Sequence, residues 1–92
     1  MSKQVTDIND VLEFPCRFPI KVMGESQPDF QLIMFEVVRV HAPDLAQTDI
    51  TTRDSSSGKY VSLTITVTAT SREHLDNIYR SLTSHVLVKW VL

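Results

Sequence analysis

Apolar and polar residues alternate more strictly over residues 59–70 than anywhere else in the chain. Val61, Leu63, Ile65, Val67 and Ala69 interleave with Tyr60, Ser62, Thr64, Thr66, Thr68 and Thr70. A period of two over that length predicts a strand with one buried and one polar face. A weaker alternation at 17–23 sets Phe18, Ile20 and Val22 against Arg17, Pro19, Lys21 and Met23 and predicts a first strand. Pro19 cannot donate to a ladder, so regular pairing is expected only after it, and Gly24 is expected to end the strand. Residues 48–53 are short and β-branched and predict an edge strand. Residues 86–92 predict the last strand, with Val86, Val88 and Trp90 turned to the core and Leu87, Lys89 and Val91 turned away.

Two stretches carry the helical period instead. Ser26 is placed as a cap before a helix reaching His41, with Phe30, Ile33, Met34, Val37 and Val38 on its apolar face. Ser71 caps a second helix whose stripe is Leu75, Ile78, Tyr79 and Leu82. A short helix over 7–13 is expected between a frayed start and Phe14-Pro15, because the residue before a proline avoids the helical region. Residues 54–58 form the hairpin loop between the second and third strands.

The order is therefore β, α, β, β, α, β after a short N-terminal helix. The split βαβ signature predicts an α+β, ferredoxin-like two-layer sandwich. Right-handed crossovers place two helices on one face of a four-stranded antiparallel sheet. Residues 1–10 are expected to be a flexible N-terminus and the start of the short helix, and 11–92 a single domain. The expected core is Phe18, Ile20, Val22, Ile33, Val37, Leu63, Ile65, Val67, Leu75, Ile78, Leu82, Val88 and Trp90.

Several short strings also resemble the YbeD family of small bacterial proteins of unknown function. They are Leu12-Glu13-Phe14-Pro15, Ile20-Lys21-Val22-Met23-Gly24, Val37-Val38, His41-Ala42-Pro43, the residues Ser56, Gly58, Tyr60, Ser62, Ile65, Thr66, Ala69 and Thr70, and the closing Val91-Leu92. The likeness runs over roughly residues 11 to 92. It implies a ferredoxin-like fold similar to ACT regulatory domains, a regulatory or binding role and a bacterial cytosol. It implies no reaction, cofactor or catalytic residue. The first ten residues depart from the pattern, and Ser57 stands where a basic residue is expected.

Composition narrows the chemistry. The 92 residues are 42% hydrophobic and 22% charged, which suits one globular domain. The net charge of −2 weighs against a duplex-binding protein, which needs a basic face. Cys16 is the only cysteine, so no intrachain disulfide can form, and a cytoplasmic location is expected. No stretch approaches the ~18 apolar residues of a membrane span.

No enzyme site is expected. His41, His74 and His85 share no metal-ligand spacing with each other or with Cys16, which has no base or orienting group beside it in sequence. No metal or cofactor is expected. Ser55-Ser56-Ser57-Gly58-Lys59 reads as a hairpin turn before it reads as an anion nest. Of the other chemistries hosted by this fold, metal chaperones need a Cys-x-x-Cys loop. Acylphosphatases need an arginine in the first loop, where this chain has Gly24-Glu25-Ser26.

What remains is the open face of the sheet. Lys21 and Lys89 are expected to meet there, with Arg17, Tyr60, Thr64 and Thr66 around them. The leading expectation is a non-enzymatic regulatory or adaptor domain that binds a partner protein, or a second copy, through this face or the edge strand. The alternative is an ACT-like sensor of a small ligand, bound at Gly24, Glu25 and Ser26. Single-stranded nucleic-acid binding through Lys21, Lys89 and Tyr60 is a weaker third, because Tyr60 is the only aromatic expected on that face.

Overall fold

The computed structural model describes residues 12–92. In chain order they form β1 (Cys16–Glu25), α1 (Phe30–Arg39), β2 (Ile50–Asp54), β3 (Tyr60–Ala69), α2 (Arg72–Thr83) and β4 (Val88–Val91), with one 3-10 turn at Gln47–Asp49. The strands lie in the order β2-β3-β1-β4, every neighbouring pair antiparallel. This is the βαββαβ sandwich that the alternating elements predict. The expected short helix over 7–13 lies mostly outside the described residues, and Leu12 and Glu13, its last two, are not helical.

β3 lies between β1 and β2 and behaves as its pattern requires. Val61, Leu63, Ile65, Val67 and Ala69 are buried, and the hydroxyl residues between them face outward. β1 pairs with β3 along its whole length, Pro19 included, which lies opposite Thr66. The expectation that pairing starts after Pro19 fails for a geometric reason. Lys21 exchanges both backbone hydrogen bonds with Leu92, at 3.1 and 2.8 Å, so its N–H points to the β4 edge. Two residues earlier the Pro19 nitrogen points to that same edge, beyond the reach of β4, and no bond to β3 is lost.

The helices cover one face. On α1 the fully buried residues are Phe30, Met34 and Val38, one turn apart, while Ile33 and Val37 are only partly buried. The expected apolar face is the one that packs, but its centre is Phe30, Met34 and Val38 rather than the Ile33 and Val37 expected in the core. α1 also starts later than expected, at Phe30 rather than just after Ser26, and ends at Arg39. α2 is as read: the Ser71 hydroxyl accepts the His74 N–H at 3.0 Å, and Leu75, Ile78 and Leu82 are buried.

His74 and His41 are structural. His74 Nδ1 accepts the Thr70 N–H at 3.1 Å, so its proton sits on Nε2, which donates to the His41 carbonyl at 2.7 Å. His41 Nε2 in turn meets the Ser81 hydroxyl at 2.7 Å. Together these bonds join the end of α1 to both ends of α2. Gly58, with φ +77°, supplies the left-handed residue that closes the β2–β3 hairpin.

Candidate functional site: the open face of the sheet

The face away from the helices is laid out in rows by the strand register. Arg53, Ser62, Met23 and Trp90 form one row across all four strands. Thr51, Thr64, Lys21 and Leu92 form the next. On the other side of the first row Tyr60 lies opposite Glu25. The Tyr60 and Trp90 rings are 6.5 Å apart and inclined at 41°. An open depression of about 550 Å³ lies over these rows, lined by Lys21, Met23, Arg53, Tyr60, Trp90 and Leu92 among others. Trp90 is 50% exposed and Leu92 70%, so apolar side chains meet water at its floor and rim.

Trp90 is the principal correction to the sequence reading. It was expected in the core, with Val91 turned outward. Instead Val91 lies opposite the buried Val22, Trp90 opposite Met23, and the register shifts between Met23 and Gly24 so that Gly24 pairs with Val88. Lys89 is the residue left over by the shift. A bulge of this kind interrupts the alternation of faces, so Val88 and Val91 both pack toward the core and Trp90 emerges on the open side. Leu87 likewise packs inward, while Val86 is 88% exposed, the reverse of the expected assignment. Phe18, another expected core residue, is only partly buried.

Gly24 sits at the bulge and leaves room for it. A Cβ there would lie 2.5 and 2.7 Å from two Phe30 ring atoms and 2.6 Å from the Leu87 carbonyl oxygen. The ring and the chain entering β4 occupy the space a side chain would take. A glycine inside a strand marks such a close approach, and it is the one sequence signal that could have placed Trp90.

The expected site residues fall into separate groups. Lys21 and Tyr60 line the depression with Thr64 beside them. Lys89 does not meet Lys21, whose β4 neighbour is Leu92; its Nζ lies 3.4 Å from the Glu25 carboxylate. Arg17 is at the far end of β1, donating to Thr68 Oγ1 at 3.0 Å and to Asp49 Oδ1 at 2.6 Å. Asp49 also accepts the Ala46 N–H at 2.9 Å. That backbone hydrogen bond, and after it the Arg17 guanidinium, holds the Asp49 carboxyl below its usual range. Arg17 is therefore a clip between β1 and the turn before β2. Thr66 lies opposite Pro19, between this clip and the depression.

Of the expected ligand loop, Gly24 is buried in β1, while Glu25, at the end of β1, and Ser26 line an open hollow of about 390 Å³ with Gly58, Lys59 and Tyr60, and Ser26 donates its N–H to the Lys59 carbonyl at 2.8 Å. Cys16, the lone cysteine, is partly buried at the start of β1 against the core. Among the described residues no three His, Cys, Asp or Glu side chains gather as a metal ion needs, and no helix is long and apolar enough to cross a membrane. A second, smaller hollow of about 240 Å³ lies between α1 and β2, lined by Pro28, Gln31, Leu32, Phe35, Gln47 and Ile50.

Comparison with known proteins agrees with the family resemblance read from the sequence. The model of the family described as "Protein of unknown function (DUF493)" matches residues 9–92. A UPF0250 protein of Chromobacterium violaceum is 60% identical over 83 residues, 90% of this chain and 93% of that one. A UPF0250 protein of Neisseria gonorrhoeae is 55% identical over 82 residues, 89% and 90% of the two chains. Among solved structures, that of protein HP0495 from H. pylori matches with a TM-score of 0.70 at 14% identity, covering 99% of this chain and 90% of that one. At that identity the likeness concerns the fold, which it supports. The match over nearly the whole chain makes this protein a member of the DUF493 family of bacterial proteins of unknown function.

Proposed function

We propose that this protein is a non-enzymatic regulatory or adaptor domain of the bacterial cytosol that binds a partner protein through the open face of its sheet. The observation that carries this reading is Trp90, half exposed beside Tyr60, Met23 and Leu92. A fold that needed only to be stable gains nothing from an indole in water. Contiguous exposed apolar side chains mark interaction surfaces, and tryptophan and tyrosine dominate binding energy at interface centres. The small-ligand alternative keeps Glu25 and Ser26, which line an open hollow, but loses Gly24, which is packed beneath Phe30.

Capture from native lysate on the immobilised full chain tests the reading. The wild type is expected to retain a partner that Trp90→Asp loses. Trp90 keeps half its surface packed, so that variant is expected to lose about 1–3 kcal/mol and to stay folded, which circular dichroism checks before capture. Leu32→Asp, at a half-exposed position of α1 away from the open face, serves as the control and should retain the partner. Loss with Leu32→Asp and full retention with Trp90→Asp would move the site to the hollow between α1 and β2.

A further inference from the structure

We infer that the segment seated on this face is acidic and apolar: a short stretch of another protein presenting carboxylates beside one or two large apolar side chains. The inference rests on the proposed partner-binding reading and adds the chemistry of the partner. Two cations border the apolar floor. Arg53 shares the row of Met23 and Trp90, and Lys21 shares the row of Leu92. Neither enters a salt bridge among the described residues, whereas Arg17 and Lys89 are each matched to a carboxylate. Among the described residues two carboxylates stand near the depression: Glu25, opposite Tyr60 on the open face, is matched by Lys89, and Asp54 follows Arg53 in β2, where alternation assigns it to the helix face. The outward charge at the apolar patch is thus positive, on a chain whose net charge is −2.

That contrast selects among occupants. A second copy docking face to face would crowd the Lys21 and Arg53 of both copies around one apolar contact, while Glu25, the carboxylate of that face, is already matched by Lys89. A single-stranded nucleic acid would find two stacking rings, Tyr60 and Trp90, but among the described residues that line the depression only Lys21 and Arg53 as unmatched cations for its phosphates. A peptide carboxylate meets Lys21 or Arg53 directly, and a leucine or phenylalanine beside it fills the space over Met23 against Trp90.

The test pans a display library of random peptides of about twelve residues against the immobilised full chain. Trp90 is the chain's only tryptophan, so its emission then reports occupancy of the patch directly. Enriched peptides are expected to combine Asp or Glu with Leu, Ile or Phe, to shift Trp90 emission, and to weaken with added salt. The Lys21→Glu, Arg53→Glu variant should bind them about tenfold or more weakly. Enrichment of basic or uncharged peptides, or binding that survives the double charge reversal, would overturn the inference. So would a thymidine oligonucleotide that shifts Trp90 emission where the peptides do not, or emission that changes with protein concentration as a dimer forms in sedimentation. If no acidic peptide binds yet Trp90→Asp still loses a captured protein, the inferred chemistry falls and the partner-binding reading stands. If neither responds, both fall.

Discussion

Replacing Phe30 with alanine is expected to remove about 3–5 kcal/mol of stability, the largest loss from any single truncation in this protein. Phe30 is the largest of the fully buried side chains and the first residue of α1. Its ring lies over Gly24, where β1 offers no side chain, so no neighbour stands ready to fill the hole. Small domains hold only about 5–15 kcal/mol in all. The variant should therefore unfold at a much lower urea concentration, followed by far-UV circular dichroism. Leu32→Ala, on the same helix but half exposed, should shift the midpoint little. A loss below about 1 kcal/mol for Phe30→Ala would contradict the packing described here.

The converse substitution, Gly24→Ala, is expected to cost about 1–3 kcal/mol by overfilling the same place. The added carbon would approach the Phe30 ring and the Leu87 carbonyl oxygen, both closer than 3 Å. The ring, fully buried, can yield only by disturbing its neighbours. The carbonyl belongs to the backbone entering β4, and moving it disturbs the bulge that presents Trp90. Gly24→Ala should therefore alter Trp90 emission as well as the urea midpoint, although the two residues lie on different strands. In the Gly24→Ala, Phe30→Leu double variant the ring contact is gone and the carbonyl contact remains. Its loss should fall below the sum of the two single losses, because residues in contact couple. Strict additivity would show that Gly24 and Phe30 do not share this space.

Where a period ran unbroken, pattern alone located the structure. β3 and α2 carry long, consistent stripes, and Leu63, Ile65, Val67, Leu75, Ile78 and Leu82 are all buried as read. α1 was harder because Ile33 and Val37 continue the stripe that Phe30, Met34 and Val38 complete, and periodicity cannot say which edge of a wide apolar band faces the sheet. In β4, alternation runs straight through Lys89 in the sequence but not in the structure. The bulge there lies where Gly24 admits Phe30 and the Leu87 carbonyl, residues far apart in sequence, and a single strand's pattern holds no record of it.

The candidate site suffered from the same gap. Lys21 and Tyr60 were placed on the open face by their own strands and are there. Trp90, which changes that face from a polar surface with one tyrosine into an apolar patch, was assigned to the core. Arg17 and Lys89 look like free cations in sequence, and tertiary structure gives each a carboxylate, Asp49 and Glu25. Their removal leaves Lys21 and Arg53 as the charges that frame the patch.

Everything proposed for this face depends on Trp90 standing in water beside Tyr60 in the folded protein, and its fluorescence measures that directly. With one tryptophan in the chain, the spectrum has a single source. Native emission is expected well to the red of a core indole, with strong quenching by acrylamide without denaturant and only a modest further change on unfolding. Blue-shifted native emission that acrylamide cannot reach, released only when urea unfolds the chain, would place Trp90 in the core and remove the apolar patch.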